Sequence, residues 1–182
     1  MNPVQWFGIL SIPLVLGSWR ALKKPGSHGF FRFFLWEAIL GLFLLNFRFW
    51  FIHPFSWNQL LSWVFLFFSL YLVLDAVRQL KRAGKSVEQR RDSALFNFEA
   101  TTVLVDKGIY RYIRHPMYSS LLFLAWGIAL KRPEEWQLLL VLFASLFCFL
   151  TCRQEEKEDI AFFGNAYLEY KQRTRWLIPF VF

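Results

Sequence analysis

Charge is scarce in this sequence, and acidic residues are scarcer than basic ones. Of its 182 residues, 19% are charged, with 21 Lys or Arg against 13 Asp or Glu; soluble domains usually have about a quarter. Hydrophobic residues make up 56% of the chain and include 23 Phe and 9 Trp. A core of this size could not bury so many aromatic side chains and leave a wettable surface. The composition excludes an ordinary soluble domain and favours an integral membrane protein.

Cysteine is also scarce, because the chain contains only Cys148 and Cys152. Both lie in one apolar run, which excludes a disulfide framework. They are four residues apart on one helical face without histidines nearby, so we interpret them as packing residues and expect no metal site. The net charge of +8 is explained by Lys and Arg on cytoplasmic loops. We therefore expect no nucleic-acid partner.

Long apolar runs define the predicted architecture, since a helix needs about 20 apolar residues, with a range of roughly 17–25, to cross a bilayer. The predicted spans are residues 4–19, 30–52, 57–77, 118–130 and 136–152. The first run lacks the basic start and small-residue cleavage site of a signal peptide. The last two flank a turn at 131–135 and predict a helical hairpin. We predict an all-α integral membrane protein with about five transmembrane helices, the last two forming this hairpin, and a cytoplasmic cofactor pocket.

The distribution of basic residues predicts the orientation. Most Lys and Arg follow the first, third and fifth spans, whereas only Arg48, Lys131 and Arg132 lie in the other loops. This asymmetry predicts an external N-terminus and a cytoplasmic C-terminus. We divide the chain into a three-span membrane region, 1–77, and a C-terminal region, 78–182, that comprises a cytoplasmic segment, the hairpin and the tail and carries the candidate site. The segment should continue the third span as a basic helix over 75–91.

A cluster of polar residues precedes the fourth span. Proline disfavours a helical conformation in the residue before it but suits the first position of a helix. A helix should therefore begin at Pro116 with His115 at its N-cap. A helix N-terminus beside Arg111 and Arg114 is a potential anion site, and neighbouring tyrosine rings could hold a flat ring. The alternative is an interfacial anchor of Arg and Tyr. The ordered cluster favours a site.

An acidic run ends the fifth span. Glu158 and Asp159 are predicted to belong to a solvated helical face. Glu155 and Glu156 lie at membrane depth opposite the His-Pro cap, where acids are costly and often functional. A carboxylate can accept from both hydroxyls of a ribose. The hairpin is therefore predicted to bring together a helix start that binds an anion and a carboxylate that binds a ribose diol. A nucleoside that also carries a carboxylate would fit both groups.

The C-terminal part of the chain, from about residue 101 to 182, resembles the isoprenylcysteine carboxyl methyltransferase family, whose superfamily includes phospholipid N-methyltransferases and thiol S-methyltransferases. The resemblance rests on Gly108-Ile-Tyr-Arg-Tyr-Ile-Arg-His-Pro-Met-Tyr118, on Glu155-Glu156, on Phe163-Gly164-Asn-Ala-Tyr167-Leu-Glu-Tyr170-Lys and on Ile178-Pro179-Phe180. It implies a methyltransferase that holds S-adenosylmethionine (SAM) in a cytoplasmic pocket and admits a lipophilic acceptor from the membrane.

The resemblance also implies which residues bind the cofactor. By position, they are Thr102, Val103, Leu104, Val105, Tyr110, His115, Pro116, Met117, Tyr118 and Glu155. His115 is expected to bind the cofactor rather than to act as a base, and no catalytic base is assigned. His28 and His53 are predicted to be interfacial residues in short loops.

The chain departs from the family pattern at several positions. Thr102 replaces a usual His, Ser119 and Ser120 stand where Gly often follows the tyrosine, and Thr151 stands where the isoprenylcysteine enzymes have the Arg that binds the substrate carboxyl. Arg153 is the nearest cation and is a candidate for contacting a polar head group. These departures leave open whether the acceptor is a carboxylate, an amine or a thiol. Because no second polar cleft is evident, we expect a lipophilic acceptor to enter sideways between helices.

Two other functions compete with methyl transfer. A reductase of the sterol-reductase-related group would bind NADPH in a similar C-terminal fold, but that group tends to have Asn at the position of Met117, and no basic pocket for a 2′-phosphate is evident. A non-enzymatic membrane protein would leave the Glu155–Glu156 pair unexplained.

Overall fold

The structure, a computed structural model, describes residues 2–83 and 103–178, and the regular secondary structure of this part is helical. Its helices are α1 (Pro3–Leu22), α2 (His28–Asn46), α3 (Trp57–Ala83), α4 (Pro116–Ala129), α5 (Glu135–Phe163) and α6 (Asn165–Arg173), with 3₁₀ turns at Phe47–Phe49 and Gly108–Arg111. Within the described ranges no strand is present beyond a single bridge between Ile113 and Arg175. The all-α prediction is confirmed. The predicted helix over 75–91 is present to Ala83, and its remainder lies outside the described residues.

Local capping fixes where the first two helices begin. The Asn2 side chain accepts from the Gln5 amide at 2.9 Å, the Gln5 side chain accepts from the Asn2 amide at 3.0 Å, and Pro3 occupies the first helical position. This reciprocal pair is a capping box. Ser27 caps α2 by accepting from the Phe30 amide at 3.2 Å. Consequently α2 starts at His28, two residues before the predicted span, and His28 belongs to a helix rather than to a loop.

In the part of the chain that the structure describes, three helices are long and apolar enough to cross a membrane: His28–Phe49, Trp57–Arg82 and Glu135–Phe163. Large apolar side chains such as Val64 and Phe67, which are 61% and 65% exposed, point away from the bundle, as expected for surfaces that face lipid. The helix Pro116–Ala129 is apolar but shorter. The chain is therefore an integral membrane protein, and the number of five spans stays a prediction.

The helices pack as pairs around two clusters of buried residues. α2 lies against α5, α3 lies against α4, and α4 and α5 pack together as the predicted hairpin. Ser62 and Ser69 of α3 donate to the α4 carbonyls of Gly127 and Ser120 at 2.6 and 2.7 Å. A Cβ atom at Gly127 would lie 2.9 Å from the Leu66 side chain, so glycine permits this close approach. These contacts hold α4 firmly and thereby position its first turn, where the candidate site lies.

A buried lysine joins the turn of the hairpin to the start of α3. Lys131 Nζ donates to Gln59 Oε1 at 3.0 Å and lies 3.7 Å from the centre of the Trp63 ring. Gln59 Nε2 in return donates to the carbonyls of Lys131 at 3.1 Å and Phe49 at 2.8 Å. Burial lowers the pKa of Lys131 from 10.5 to about 8. This cluster closes the end of the bundle opposite the candidate site.

Candidate functional site

The first turn of α4 forms the centre of the candidate site. The helix begins at Pro116 with His115 at the N-cap, which confirms the prediction of its start. His115 is 3% exposed. A 3₁₀ turn at Gly108–Arg111 leads into it, and Gly108 adopts a φ of +58°, a conformation that glycine adopts without strain.

His115 is joined to Glu155 of α5. Its Nδ1 atom lies 2.8 Å from Glu155 Oε2, and the Tyr118 hydroxyl donates to Glu155 Oε1 at 3.3 Å. Burial alone would lower the pKa of His115, but the hydrogen bond to Glu155 and the nearby carboxylate of Glu156 outweigh burial and raise this pKa from 6.5 to about 9. At neutral pH both imidazole nitrogens therefore carry protons, and Nδ1 donates to the carboxylate. Both Glu155 oxygens already accept one hydrogen bond, and each retains a further lone pair.

Glu156 makes a separate set of contacts. It accepts from Arg114 Nε at 2.6 Å and from Lys171 Nζ at 2.7 Å. Arg114 also donates to the carbonyl of Thr174 at 2.5 Å. Glu156 thus attaches the chain around α6 to the end of α5, whereas Glu155 faces the first turn of α4.

The chain that follows α6 returns across the Arg-His-Pro segment. The Arg175 amide donates to the Tyr112 carbonyl at 2.8 Å, and the Arg114 amide donates to the Arg175 carbonyl at 2.9 Å. The Ser119 hydroxyl donates to the Leu177 carbonyl at 2.5 Å. Sequence reasoning did not predict this pairing. It satisfies the backbone groups of the segment before α4 and holds the N-cap in place.

These elements enclose a cavity of about 90 Å³. Its walls are Leu80, Leu104, Val105, Tyr110, Arg114, His115, Pro116, Met117, Tyr118, Glu155, Asp159, Phe163, Tyr167 and Tyr170. Most of the predicted cofactor-binding residues are among them. Val103 is not, since it is 59% exposed and lies outside the walls. Thr102 lies outside the described residues. Arg153 is exposed and does not line the cavity.

Two polar atoms of the cavity walls are buried without a hydrogen-bond partner in the described part of the chain. They are His115 Nε2 and the Tyr167 hydroxyl. His115 Nε2 lies 3.7 Å from Glu156 Oε1, which is too far for a hydrogen bond. Burial and the charges of Asp159, Glu156 and Glu155 raise the pKa of Tyr167, so its hydroxyl keeps its proton. Two proton donors are therefore available to an acceptor group of a ligand. In contrast, the Tyr170 hydroxyl is used, because it donates to the Tyr110 carbonyl at 2.7 Å.

Several predictions around the acidic run were wrong. Asp159 lines the cavity, and Glu158 contacts His28 of α2, so neither belongs to a solvated face. His28 is 1% exposed and belongs to α2 rather than to a short loop; its Nδ1 pairs with Glu158, and its amide donates to Glu158 Oε1 at 3.4 Å. The reason is that α5 continues to Phe163, which carries the whole acidic run alongside the start of α2.

Among the wall residues that sequence reasoning missed are Asp159 and Tyr167. Asp159 lies four residues after Glu155, at the spacing that places two side chains on one helix face. Tyr167 belongs to the C-terminal motif but depends on the turn at Gly164 to face the cavity. Cys148 and Cys152 are fully buried in the main cluster, as packing residues should be.

Comparison with known proteins gives consistent family matches. The sequence pattern described as "Phospholipid methyltransferase" matches residues 57–165, more than half of the chain. A protein-S-isoprenylcysteine O-methyltransferase of Saccharomyces cerevisiae is 36% identical over 85 residues, which cover 46% of this chain and 35% of that protein. The methanethiol S-methyltransferase of Pseudomonas deceptionensis is 26% identical over 159 residues, 81% of this chain and 53% of that protein.

A methanethiol S-methyltransferase 1 of Bradyrhizobium diazoefficiens is 31% identical over 71 residues, which cover 39% of this chain and 24% of that protein. The chain thus spans between about a quarter and about half of the length of these relatives. No solved structure matches the chain significantly.

Proposed function

We propose that this chain, which belongs to the phospholipid methyltransferase family, transfers a methyl group from SAM to a lipophilic acceptor. The relatives named above act on an isoprenylcysteine or on methanethiol. They support the reaction class for this chain, whereas the acceptor has to be inferred from its own residues.

The observation that carries the proposal is the buried His115–Glu155 pair in the wall of a cavity. Burying an imidazolium and a carboxylate is costly even when they pair, and titratable groups perturbed in this way cluster at ligand-binding and catalytic sites. Aromatic rings of Tyr110, Tyr118 and Phe163 line the same cavity. The ribose of SAM requires hydrogen-bond acceptors, its amino-acid carboxylate requires hydrogen-bond donors, and its adenine requires flat apolar faces.

The residues present fit SAM in chemistry. The remaining lone pairs of Glu155 suit the ribose hydroxyls, and His115 Nε2 and the Tyr167 hydroxyl suit the carboxylate. The volume of about 90 Å³ is below the roughly 300 Å³ of small ligand pockets. Binding therefore requires wall side chains to move apart.

When bound, SAM supplies an activated sulfonium methyl group, so the protein mainly has to align the donor with the nucleophile. Tyr118 and His115 fix the Glu155 carboxylate from two sides, which limits the positions a ribose can take. Such orientation can contribute about 7–11 kcal/mol in favourable cases. We assign no base, since a thiolate or carboxylate acceptor needs none.

The acceptor is proposed to enter from the membrane. The surfaces of α3 and α5 expose many large apolar side chains, among them Phe67 and Leu146. Each methylene that leaves water contributes about 0.8 kcal/mol, so a lipophilic acceptor would concentrate at these faces. Arg153 of α5 is exposed and is proposed to meet a polar head group.

Calorimetric titration tests the reaction class. The purified protein is titrated with SAM and, separately, with NADPH. The proposal expects saturable binding of SAM and none of NADPH. Binding of NADPH alone would favour the reductase, and binding of neither would favour a non-enzymatic protein.

The acceptor class is tested by kcat/KM across an acyl or prenyl series in detergent at fixed surface concentration. We expect kcat/KM to rise with chain length until the acceptor site is filled. A flat profile, or the highest rate with a short soluble thiol, would contradict entry from the membrane.

A further inference from the structure

Asp159 is a wall residue of the cavity to which the proposed function assigns no role. It lies on α5, four residues after Glu155, and both acids are half-buried in the walls of the same cavity. Side chains four residues apart lie on one face of a helix, with their Cβ atoms about 5–6 Å apart. A ligand of this cavity therefore meets two carboxyl groups that are one helical turn apart.

The two unpartnered proton donors of the cavity walls lie near Asp159. Tyr167 is 2% exposed and His115 is 3% exposed, and neither the Tyr167 hydroxyl nor His115 Nε2 has a hydrogen-bond partner within the described residues. After burial, the charge of Asp159 is the largest cause of the raised pKa of Tyr167. The charge of Asp159 also acts on His115. The cavity therefore places an acceptor, Asp159, beside donors that are available to a ligand.

The end of α5 favours a cationic group at Asp159. The neighbouring acid Glu156 is held by Arg114 and Lys171, at 2.6 and 2.7 Å. Asp159 lies four residues before the end of the helix, and the last turn, residues 160–163, is apolar. The C-terminus of a helix carries a partial negative charge and is stabilised by cations. A positively charged group of a ligand therefore suits this end of the cavity.

The amino-acid part of SAM requires this combination of groups. One carbon atom of SAM carries both an ammonium and a carboxylate, so the acceptor for the ammonium has to lie beside the donors for the carboxylate. An ammonium has three donors and no acceptor, and its hydrogen bonds to a carboxylate are charge-assisted and therefore strong.

We propose that Asp159 binds the α-ammonium of SAM, next to the cofactor carboxylate at Tyr167 and His115. The face of α5 then holds the cofactor at two points, the ribose at Glu155 and the amino acid at Asp159. This inference rests on the proposed function and adds a specific consequence to it: the protein discriminates against an analogue that lacks the ammonium.

Calorimetric titration with two ligands tests the role of Asp159. The ligands are SAM and its 2-oxo analogue, in which a carbonyl oxygen replaces the ammonium. We expect the unchanged protein to bind SAM about 10- to 150-fold more tightly than the analogue, as for the loss of a charged hydrogen bond. Asp159→Asn should lose this factor for SAM but bind the analogue as before, so that it binds the two ligands with similar affinity. Equal affinities in the unchanged protein would overturn the inference.

Glu155→Gln provides the matched control on the same helix face. Both ligands carry the ribose, so this variant should weaken both alike and keep the preference for SAM. A preference that persists in Asp159→Asn, whether or not both affinities fall, would overturn the inference, because Asp159 would then act without contacting the ammonium. If Asp159→Asn does not fold, the comparison of the two ligands in the unchanged protein decides alone. Absence of SAM binding by the unchanged protein would refute the proposed function itself, and this inference with it.

Discussion

At the scale of single residues, two adjacent glutamates have different roles. Glu155 accepts from His115 and Tyr118 at the cavity, whereas Glu156 accepts from Arg114 and Lys171 and holds the C-terminal part of the chain. Successive residues of a helix point about 100° apart, so neighbours meet different partners. We expect changes at Glu155 to affect ligand binding and changes at Glu156 to affect mainly stability.

Two tyrosines of α6 offer a matched comparison. Tyr167→Phe should weaken SAM binding about 2- to 12-fold, as for the loss of a hydrogen bond of 0.5–1.5 kcal/mol, with little change in thermal stability, since its hydroxyl has no partner within the described residues. Tyr170→Phe should instead lower stability by about 1 kcal/mol because it removes the bond to the Tyr110 carbonyl. Calorimetry and thermal unfolding in detergent measure the two effects. Equal SAM affinity in Tyr167→Phe and the unchanged protein would remove this hydroxyl from the site.

The raised pKa of His115 predicts a pH dependence of stability. The pKa of His115 is about 9 in the folded state and about 6.5 when the protein is unfolded. Its protonation therefore stabilises the folded state fully below pH 6.5. This contribution is lost as the pH rises through 9 and amounts to about 3 kcal/mol at most. The free energy of unfolding should therefore fall more steeply between pH 6.5 and 9 in the unchanged protein than in His115→Gln.

Taking the difference between the two proteins removes the opposite contribution of Lys131, whose pKa is lowered on folding. Parallel curves for the two proteins would show that the His115–Glu155 pair does not contribute in this way.

The position of a site residue could be predicted from the sequence where a single helix determines that position. The placement of His115, Pro116 and Tyr118 in the cavity wall depends only on where α4 begins, and the proline marks that position. Tyr167 and Asp159 depend on how far α5 continues and on the turn at Gly164, which a single sequence does not reveal. The pairing of His28 with Glu158 joins residues 130 positions apart, and the sequence around neither residue predicts it.

At the scale of helices, apolar run length predicted which segments are helical but not where they end. Apolar runs stop where lipid contact stops, whereas α5 continues for 11 residues beyond the predicted end at 152, to Phe163. This polar continuation buries Glu156. The pairing of the segment after α6 with residues 112–115 was missed because it uses backbone groups, which carry no sequence signature.

The hairpin turn should depend on Lys131 more than on its neighbour. Lys131→Met removes the donor to Gln59 Oε1 and the contact with Trp63, so we expect a loss of about 1–3 kcal/mol in stability. Arg132→Met removes an exposed pair with Glu134 and should cost about 1 kcal/mol or less. Thermal unfolding of both variants in the same detergent measures the difference. A larger loss for Arg132→Met would show that the buried cluster does not hold the turn.

At the scale of the whole molecule, the asymmetry of basic residues gives a prediction of topology. Cysteines introduced at Asn2 and at Phe182 should react with an impermeant maleimide from opposite sides of the membrane, with Phe182 on the cytoplasmic side. Cys148 and Cys152 are buried and should give little background. Labelling of both positions from one side would mean that the number of spans is even, most simply because α1 does not cross.

The account as a whole rests on Glu155 as a ligand of SAM, and the dissociation constant of SAM for Glu155→Gln tests it most directly. Loss of a charge-assisted hydrogen bond of about 1.5–3 kcal/mol should weaken binding about 10- to 150-fold, while Glu169→Gln, on the exposed face of α6, should bind SAM like the unchanged protein. The variant must insert and elute as the unchanged protein does. An unchanged dissociation constant for Glu155→Gln would contradict the account.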